Sequence, residues 1–285
     1  MDFVWLNGGL VNKVDAKISV FDHGLVTGDG VFETIGVYGG VAFALGRHLE
    51  RLQRSAAGIG LPALDLPEMA NGVGALLRAN RCVEAKLRIT VTAGESVLGS
   101  DRIGSPLSVI MATAERIPAS LTAKIQVAPW PRNERGILAG LKTISYAENV
   151  AALAWAQSLG ADEVVYGNTV GNLCEGSGSN IFVVVDGEAF TPPLSSGALG
   201  GITRELIVEH LGINERDFPL EILYSPDLEE SFLSSSIREA QGISHIDGKP
   251  TRIASGPVTT EIGNEFSKLI SKELEIGGIG LQTQP

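Results

Sequence analysis

A lysine, a glutamate and a glycine turn follow one another in the second half of the chain in an order that suits one kind of chemistry. Lys142 comes first, Glu175 lies 33 positions further on, and the glycine turn 200–203 opens a helical pattern. A lysine amine can form a Schiff base, a carboxylate can keep a heterocyclic nitrogen protonated, and N–H groups at a helix start can bind a phosphate. This order predicts a site for pyridoxal 5′-phosphate.

Each of the three features also has an ordinary structural explanation. Lys142 precedes β-branched residues, and a lysine in or beside a strand is commonly an exposed side chain. Glu175 could accept hydrogen bonds from N–H groups of the turn that follows it, and Thr203 could be the N-cap of the next helix. The interpretation as a cofactor site therefore depends on further groups that a phosphate would need.

Candidate phosphate ligands occur in three places along the chain. Ile202 and Thr203 lie at the predicted helix start, and Ser235 and Ser236 end a predicted strand. Arg51 lies on a predicted helix and could bind a phosphate with its bidentate fork. A surface salt bridge for Arg51 and a plain turn for the two serines are the alternatives.

Composition limits the classes of function. The chain has 285 residues, 44% hydrophobic residues and a net charge of −11, which argues against binding to nucleic acid or to anionic membranes. Its two cysteines form no disulfide framework, so a reducing compartment fits. The N-terminus lacks the pattern of a signal peptide, and no apolar stretch is long enough to span a membrane. We therefore expect a cytoplasmic protein.

Three other kinds of site are not supported by the sequence. The four histidines have no metal-ligand spacing, no Cys-x-x-Cys pair occurs, and we expect no metal. The Ser177 segment lacks the frame of a nucleophilic serine elbow. The glycines at 28 and 30 do not form a dinucleotide-binding fingerprint, and the turn 200–203 lacks the lysine of a P-loop.

Local patterns predict a mixed α/β (α+β) fold. Glycine pairs at 8–9 and 39–40 separate short apolar runs and predict hairpins. Further strands are predicted at 85–92, 107–113, 124–128, 163–166, 170–174, 181–185, 188–190 and 231–235. Helical spacing is found at 47–57, 67–79, 149–159, 203–211 and 257–275. We predict a small α+β domain at 1–115, a connector at 116–123 and a larger α/β cofactor-binding domain at 124–285.

Taken together, these residues resemble the class IV aminotransferase family, the fold-type IV pyridoxal phosphate enzymes. The resemblance runs from about Phe21 to Glu239, and its pieces have the order found in that family. The matching pieces are 21–24, 28–33, 48–52, Lys142, 175–182, 191–193 and 201–204. The family implies two α/β domains with the cofactor in the cleft between them, and a homodimer.

The resemblance also implies a role for each matching residue. Lys142 would form the Schiff base and carry the proton, and Glu175 would pair with the pyridine nitrogen. Leu199 would pack under the ring, and Tyr146 would reach the ring hydroxyl, although related enzymes often place a tyrosine one position later. The phosphate would be held by Arg51, Ile202, Thr203, Ser235 and Ser236.

Members of the family differ in how they hold the substrate carboxylate. The candidate substrate residues are Phe32, Thr34, Gly36, Ala93 and Arg102. Several members have a basic residue in the strand after Phe32, at the position that Gly36 occupies here, and others have an arginine where this chain has Ala93. A buried carboxylate without a cation is costly. Arg102, in a glycine-flanked loop, could swing in to bind it, or it could be a surface arginine.

We therefore predict an aminotransferase that moves an amino group between an amino acid or primary amine and a keto acid through Lys142, with atypical carboxylate recognition. The family includes branched-chain, D-amino acid and (R)-amine transaminases, among which the sequence does not decide. The alternative is an aminodeoxychorismate lyase, which forms 4-aminobenzoate and pyruvate, because the stretch 142–147 also resembles some lyases.

Overall fold

The structure is a computed structural model that describes residues 1–281, with side-chain surroundings described for residues 1–275. The chain forms two compact units. Of the described residues, unit 1 contains Met1–Ile117, Leu141–Tyr146 and the chain from Ile270 to Leu281, and unit 2 contains Pro118–Gly140 and Ala147–Leu269. The predicted domains differ from these units at the lysine segment, which packs in unit 1, and the division into domains stays a prediction.

Unit 1 is a six-stranded sheet with helices packed on one face. Its strands are β1 (Phe3–Leu6), β2 (Gly9–Asn12), β3 (Gly30–Tyr38), β4 (Val41–Ala42), β5 (Ala85–Thr92) and β6 (Ser108–Glu115). Its helices are α1 (His23–Thr27), α2 (Leu45–Gly58) and α3 (Leu66–Ala79). The strand order is β2-β1-β6-β5-β3-β4, and neighbouring strands pair antiparallel.

Strand β3 separates the core of unit 1 from the face that carries the candidate substrate residues. Val31, Ile35 and Val37 belong to the buried cluster formed with α2 and α3. Because side chains alternate between the two faces of a strand, Phe32 and Thr34 lie on the opposite face. The predicted hairpin turns are confirmed, since Asn7, Gly8, Gly39 and Gly40 all have the positive φ that such turns require.

Unit 2 is built on a nine-stranded sheet. Its strands are β7 (Thr122–Val127), β8 (Glu163–Gly167), β9 (Leu173–Gly176), β10 (Asn180–Val185), β11 (Glu188–Thr191), β12 (Asn214–Glu215), β13 (Glu230–Ser235), β14 (Glu239–Ile246) and β15 (Lys249–Pro250). Its helices are α4 (Ala147–Ser158), α5 (Ile202–Leu211) and α6 (Pro257–Leu281), and short 3-10 helices lie at Leu194–Ser196 and Leu220–Tyr224. From Ile270 onward, α6 groups with unit 1.

The strand order of unit 2 brings three candidate segments to adjacent strands. The order is β12-β11-β10-β13-β14-β7-β8-β9, with β15 beside β14. Strand β9 also pairs with β10, where Glu175 is opposite Asn180, and Asn180 is in turn opposite Ser234 of β13. Glu175 and the serine cluster therefore flank the same strand. Among the described residues, no helix is long and apolar enough to cross a membrane.

Two local predictions in unit 2 are wrong. The turn between the strands predicted at 163–166 and 170–174 lies further along, because β8 continues through Gly167 and β9 begins only at Leu173. Thr203 is not the N-cap of α5. Gly201 takes that position with extended backbone, and Thr203 is the second residue of the helix. The strands predicted at 181–185 and 188–190 are confirmed as β10 and β11, which pair antiparallel around a turn at Asp186 and Gly187, both with positive φ.

Candidate active site

The lysine segment of unit 1 is extended and pairs with the start of β3. Lys142 accepts a hydrogen bond on its carbonyl oxygen from Phe32 N at 3.0 Å, and Thr143 forms a bridge with Val31. Lys142 N donates to Ser55 Oγ of α2 at 3.1 Å. The prediction that Lys142 lies beside a strand is confirmed. Hydrogen bonds to both β3 and α2 fix the backbone from which its amine projects.

The Lys142 side chain belongs to an aromatic cluster. Its Nζ lies 4.5 Å from the centre of the Phe32 ring, a distance typical of a cation–π contact. Phe32 also packs edge-on against Tyr146, with the ring centres 5.3 Å apart. The structure therefore brings Lys142 and Tyr146 together around Phe32, the first of the predicted substrate residues.

Arg88 is a second cation on the same ring, and the sequence patterns did not predict it. Its Cζ lies 3.9 Å from the centre of the Phe32 ring, and its Nε donates to Thr90 Oγ1 at 3.2 Å. No carboxylate of the described residues pairs with it. Burial lowers the pKa of its guanidinium from the ordinary value. Arg88 is opposite Thr34, and Lys86 is opposite Gly36, so this face of the sheet is cationic.

Arg51 is oriented by Glu33 inside unit 1, and His48 binds the same carboxylate. Its Nε and Nη2 donate to the two carboxylate oxygens of Glu33 at 2.7 and 2.6 Å, and His48 Nδ1 lies 2.7 Å from the same carboxylate. All three side chains are buried. Burial opposes ionisation of Glu33, but Arg51 and His48 outweigh it and lower its pKa to about 2. Arg51 is therefore part of a buried charge network and not of a surface salt bridge.

Arg102 is already bound to other groups in this structure. Its Nε and Nη2 donate to Asp29 at 2.7 and 2.5 Å, and its nitrogens also donate to the carbonyl oxygens of Ile59 and Gly60 at 2.9 Å. Asp29 is further bound by His23 Nδ1 at 2.7 Å. A swing of Arg102 towards a substrate would break all four of its hydrogen bonds. Ala93 lies nearby, with its N–H bound to the carbonyl oxygen of Asp29 at 3.1 Å.

In unit 2, Glu175 is held by two neighbours. Its Oε2 accepts a hydrogen bond from Leu199 N at 2.9 Å, so the predicted ring-packing residue is directly attached to it. Its Oε1 lies 3.4 Å from Nε of Arg132, a residue that the sequence analysis did not single out. Glu175 is more than a turn carboxylate, since its partners come from segments far from it in sequence.

The start of α5 has the form of an anion cradle. In the described part of the chain, no side chain caps this helix, although Ile202 and Thr203 at its first turn are buried. Asn180 Nδ2 donates to the carbonyl oxygen of Leu199 at 2.8 Å, and a Cβ at Gly201 would lie 1.9 Å from Asn180 Oδ1. Only glycine lets the turn pack this closely on β10, which fixes the direction of the first N–H groups.

The serine cluster lies next to this cradle in the sheet. Ser234 is opposite Asn180, and its buried Oγ has no hydrogen-bond partner among the described residues. Ser235 and Ser236 follow it, and Ser235 Oγ accepts from Arg238 N at 3.1 Å. Arg238 in turn lies 3.5 Å from Glu163, a buried carboxylate that also binds Ser177 and Ser179 after Glu175. One buried carboxylate thus holds the segments that follow both Glu175 and the serines.

Comparisons with known proteins identify the family. The sequence model of the family described as "Amino-transferase class IV" matches residues 30–246. The chain belongs to the class IV aminotransferases. It is 32% identical to a D-alanine aminotransferase of Staphylococcus epidermidis, over 95% of this chain and 98% of that protein. It is also 32% identical to a branched-chain-amino-acid aminotransferase of Salmonella typhimurium, over 96% and 94% of the two chains.

Solved aminotransferases share the fold. A branched-chain aminotransferase of Thermoproteus uzoniensis, solved with norvaline, superposes with a TM-score of 0.88, 32% identity and 96% coverage of each chain. Another branched-chain amino acid aminotransferase, complexed with N-(5′-phosphopyridoxyl)-L-glutamate, gives a TM-score of 0.84 at 27% identity, over 93% and 92% of the two chains. The predicted family and its α/β (α+β), fold-type IV class are confirmed, and this chain is an aminotransferase.

Proposed function

We propose that Lys142 binds the pyridoxal 5′-phosphate cofactor of this aminotransferase, and that Arg88 binds a substrate carboxylate. When bound, the cofactor acts as the electron sink that lets a proton leave the carbon bearing the amino group. Relatives with this fold are named as complexes of this cofactor, which supports the assignment. Three features fit the cofactor: the start of α5 and the buried Ser234 Oγ, neither of which has a side-chain partner among residues 1–275, and the amine that the lysine segment places on Phe32.

Unit 1 supplies the amine that reacts. Lys142 is held at its backbone by β3 and α2, while its Nζ projects onto the face of Phe32. A lysine held in this way can bind an aldehyde covalently and, once released, carry a proton between two nearby carbons. Tyr146, packed on the same ring, is proposed to bind the ring hydroxyl of the cofactor.

Unit 2 supplies most of the groups that hold the cofactor. Glu175 is proposed to pair with the ring nitrogen, and Leu199, attached to it through a backbone hydrogen bond, to pack on the ring. Ile202 and Thr203 would offer N–H groups from the first turn of α5 to the phosphate. The remaining phosphate ligands in the proposal are Arg51, Ser235 and Ser236.

The substrate carboxylate is assigned to Arg88 because it is a cation that lacks a carboxylate partner in the described chain. It shares the Phe32 ring with Lys142, so it lies close to the reacting amine. Arg102, which was predicted for this role, is bound to Asp29 and two carbonyl groups. Keto acids with two carboxylates need such a cation, so we propose a dicarboxylic keto acid as the acceptor and an amino acid as the donor.

The assembly and location are proposals of the same kind. We propose a homodimer, since apolar side chains such as Phe21, Leu25 and Leu98 are exposed in unit 1 and would be covered by a second copy. A cytoplasmic location is consistent with the two free, buried cysteines. Size-exclusion chromatography with light scattering would test the first proposal.

A donor series followed by visible absorbance tests the proposed function. The protein, loaded with pyridoxal phosphate, is mixed with D-alanine, L-leucine or an (R)-arylalkylamine, each in the absence of an acceptor. Loss of the visible cofactor band with one donor, and its return on adding 2-oxoglutarate, is the expected result. The matched variant Arg88→Leu should still lose the band with the donor but recover it only at a much higher concentration of 2-oxoglutarate.

Two outcomes would contradict the proposal. If the band persists with every donor, while aminodeoxychorismate yields pyruvate without a keto acid, the lyase is the better assignment. If Arg88→Leu recovers its band at the same 2-oxoglutarate concentration as the parent protein, Arg88 does not bind the acceptor carboxylate.

A further inference from the structure

Arg132 is a largely buried arginine of unit 2 with a fixed backbone. Its N–H donates to the carbonyl oxygen of Gly167 at 2.8 Å, and it forms a bridge with Asn168 at the end of β8. Its side chain is 14% exposed. Arg132 therefore approaches β8 from a segment that has no regular secondary structure, and the sheet determines where its guanidinium lies.

Three neighbours define the position of the guanidinium. Nη1 donates to Asn149 Oδ1 of α4 at 3.2 Å, and Cζ lies 4.3 Å from the centre of the Tyr166 ring. Nε is 3.4 Å from Glu175 Oε1. Glu148 is 3.8 Å from Nη1, but it is 70% exposed, so solvent screens that pair. Glu175 is the largely buried negative charge that faces Arg132.

Some of the N–H donors of Arg132 have no hydrogen-bond acceptor among the described residues. Nε and Nη2 are buried and have no hydrogen-bond partner among the described residues. Tyr166 does not supply a charge, because burial raises the pKa of its hydroxyl to about 12. A buried cation without full hydrogen bonding is unfavourable unless a nearby anion compensates for it. The Arg132–Glu175 pair is thus an electrostatic one.

We propose that Arg132 keeps Glu175 ionised and thereby keeps the shared proton on the ring nitrogen of the cofactor. This inference rests on the proposed pairing of Glu175 with that nitrogen. The proton can be on the nitrogen, with Glu175 negative, or on Glu175, with both groups neutral. In the first arrangement, the negative Glu175 carboxylate lies next to the Arg132 guanidinium, and the positive ring nitrogen lies further away. Arg132 therefore favours it over the neutral arrangement.

Arg132 acts through Glu175, so it is a positioning residue. Arg132 affects the reaction only through the ring nitrogen. A protonated ring nitrogen makes the cofactor a better electron sink. Residues that orient the ligands of a metal site typically contribute about 10- to 100-fold to activity, and Arg132 has the same indirect relation to the cofactor through Glu175. We expect Arg132→Gln to lower kcat by about that factor. The KM for the donor should change little, because Arg132 contacts no proposed substrate group.

The test is the ¹⁵N resonance of ring-labelled pyridoxal phosphate bound to resting protein, which reports the proton on the nitrogen directly. The variants are Arg132→Gln, Arg132→Met and Arg132→Lys, with Glu175→Gln as the reference for a lost partner. Arg135→Gln is the matched control, since it removes an equal charge from an exposed position of the same segment. In both neutral variants of Arg132, we expect the ¹⁵N resonance to shift towards that of an unprotonated ring nitrogen. In Arg132→Lys and Arg135→Gln, we expect the resonance of the parent protein.

Other results would overturn the inference in distinguishable ways. A shift in Glu175→Gln but in neither neutral Arg132 variant would give Arg132 a structural role only. No shift in Glu175→Gln would show that the proposed pairing itself is wrong. If neither neutral variant folds while Arg132→Lys does, and Arg132→Lys has the unprotonated resonance, Arg132 stabilises unit 2 without setting the proton. If Arg132→Lys keeps the protonated resonance in that case, the inference stands.

Discussion

Replacing Glu33 by glutamine tests whether the buried charge network of unit 1 holds Arg51 in place. The substitution keeps the size of the side chain but removes the negative charge that accepts hydrogen bonds from Arg51 and His48. Arg51 would then be a buried cation that has lost its carboxylate. Breaking one side of a buried ion pair costs about 3–5 kcal/mol.

The pKa of Glu33 gives a second estimate of the magnitude. It is lowered from 4.5 to about 2 in the folded protein. At about 1.4 kcal/mol per pKa unit, this difference corresponds to about 3 kcal/mol of stability. Because the folded pKa is below the unfolded one, this stability is fully present above pH 4.5 and is lost as the pH falls towards 2. The stability derived from the pKa of Glu33 is therefore similar to the cost of breaking a buried ion pair.

Urea unfolding monitored by Trp5 fluorescence measures this effect in unit 1. Trp130 and Trp155 belong to unit 2 and are replaced by phenylalanine in every protein compared. Glu33→Gln should lower the free energy of unfolding by about 3–5 kcal/mol at neutral pH. The control is Glu50→Gln, the same change at an exposed position of α2, which should stay within about 0.5 kcal/mol of the parent.

The pH dependence provides the refutation. The difference between parent and Glu33→Gln should be constant above pH 4.5 and should fall by about half near pH 3. If the difference is the same at both pH values, or if Glu33→Gln and Glu50→Gln cost the same, Glu33 is not ionised in contact with Arg51. Glu33 would then not be the group that holds Arg51 in place for the proposed phosphate binding.

Three further predictions concern other parts of the site. Arg88→Leu should raise the KM for a dicarboxylic keto acid by about 10- to 100-fold, because a hydrogen bond to a charged group contributes about 1.5–3 kcal/mol. The KM for a monocarboxylic acceptor should rise less. An equal rise for both acceptors would argue against the proposed role of Arg88. Gly201→Ala brings a Cβ to 1.9 Å from Asn180 Oδ1, so titration of the apoprotein should show weaker cofactor binding. Unchanged affinity would mean that the turn does not bind the phosphate. Glu163→Gln should speed hydrogen exchange in the turn 176–179 and lower stability by about 1–3 kcal/mol, and unaltered exchange would contradict its role in holding that turn.

Sequence patterns predicted the elements whose causes are local. The helical spacing at 47–57 and 67–79 corresponds to α2 and α3, and Pro67 lies in the first turn of α3, where proline is well tolerated. The strand at 85–92 has the predicted bounds. Strand β14 was missed, since its sequence is interrupted by Gly242 and polar residues. It forms because β13 and β7 pair with its two edges, and β7 is more than a hundred positions away in sequence.

The site was predictable where a residue type and its order suffice, and not where register or long-range packing decides. Lys142 and Glu175 were predicted because a lysine, a glutamate and a glycine turn in this order are typical of a pyridoxal phosphate site. Arg88 was missed because its face of the sheet follows only from the pairing that sets it opposite Thr34. Arg132 was missed because its approach to Glu175 depends on the path of an irregular segment. Arg102 was predicted to bind the substrate because its contact with Asp29 could not be seen in the sequence, where the two residues are 73 positions apart.

The measurement that tests the central proposal most directly is the location of the cofactor on the chain. Protein loaded with pyridoxal phosphate is reduced with borohydride, which fixes the cofactor to the amine that holds it, and the digest is analysed by mass spectrometry. The account predicts a phosphopyridoxyl group on the peptide that contains Lys142, and no such group in Lys142→Ala. A label on another lysine, or an unlabelled protein that still transaminates, would contradict it.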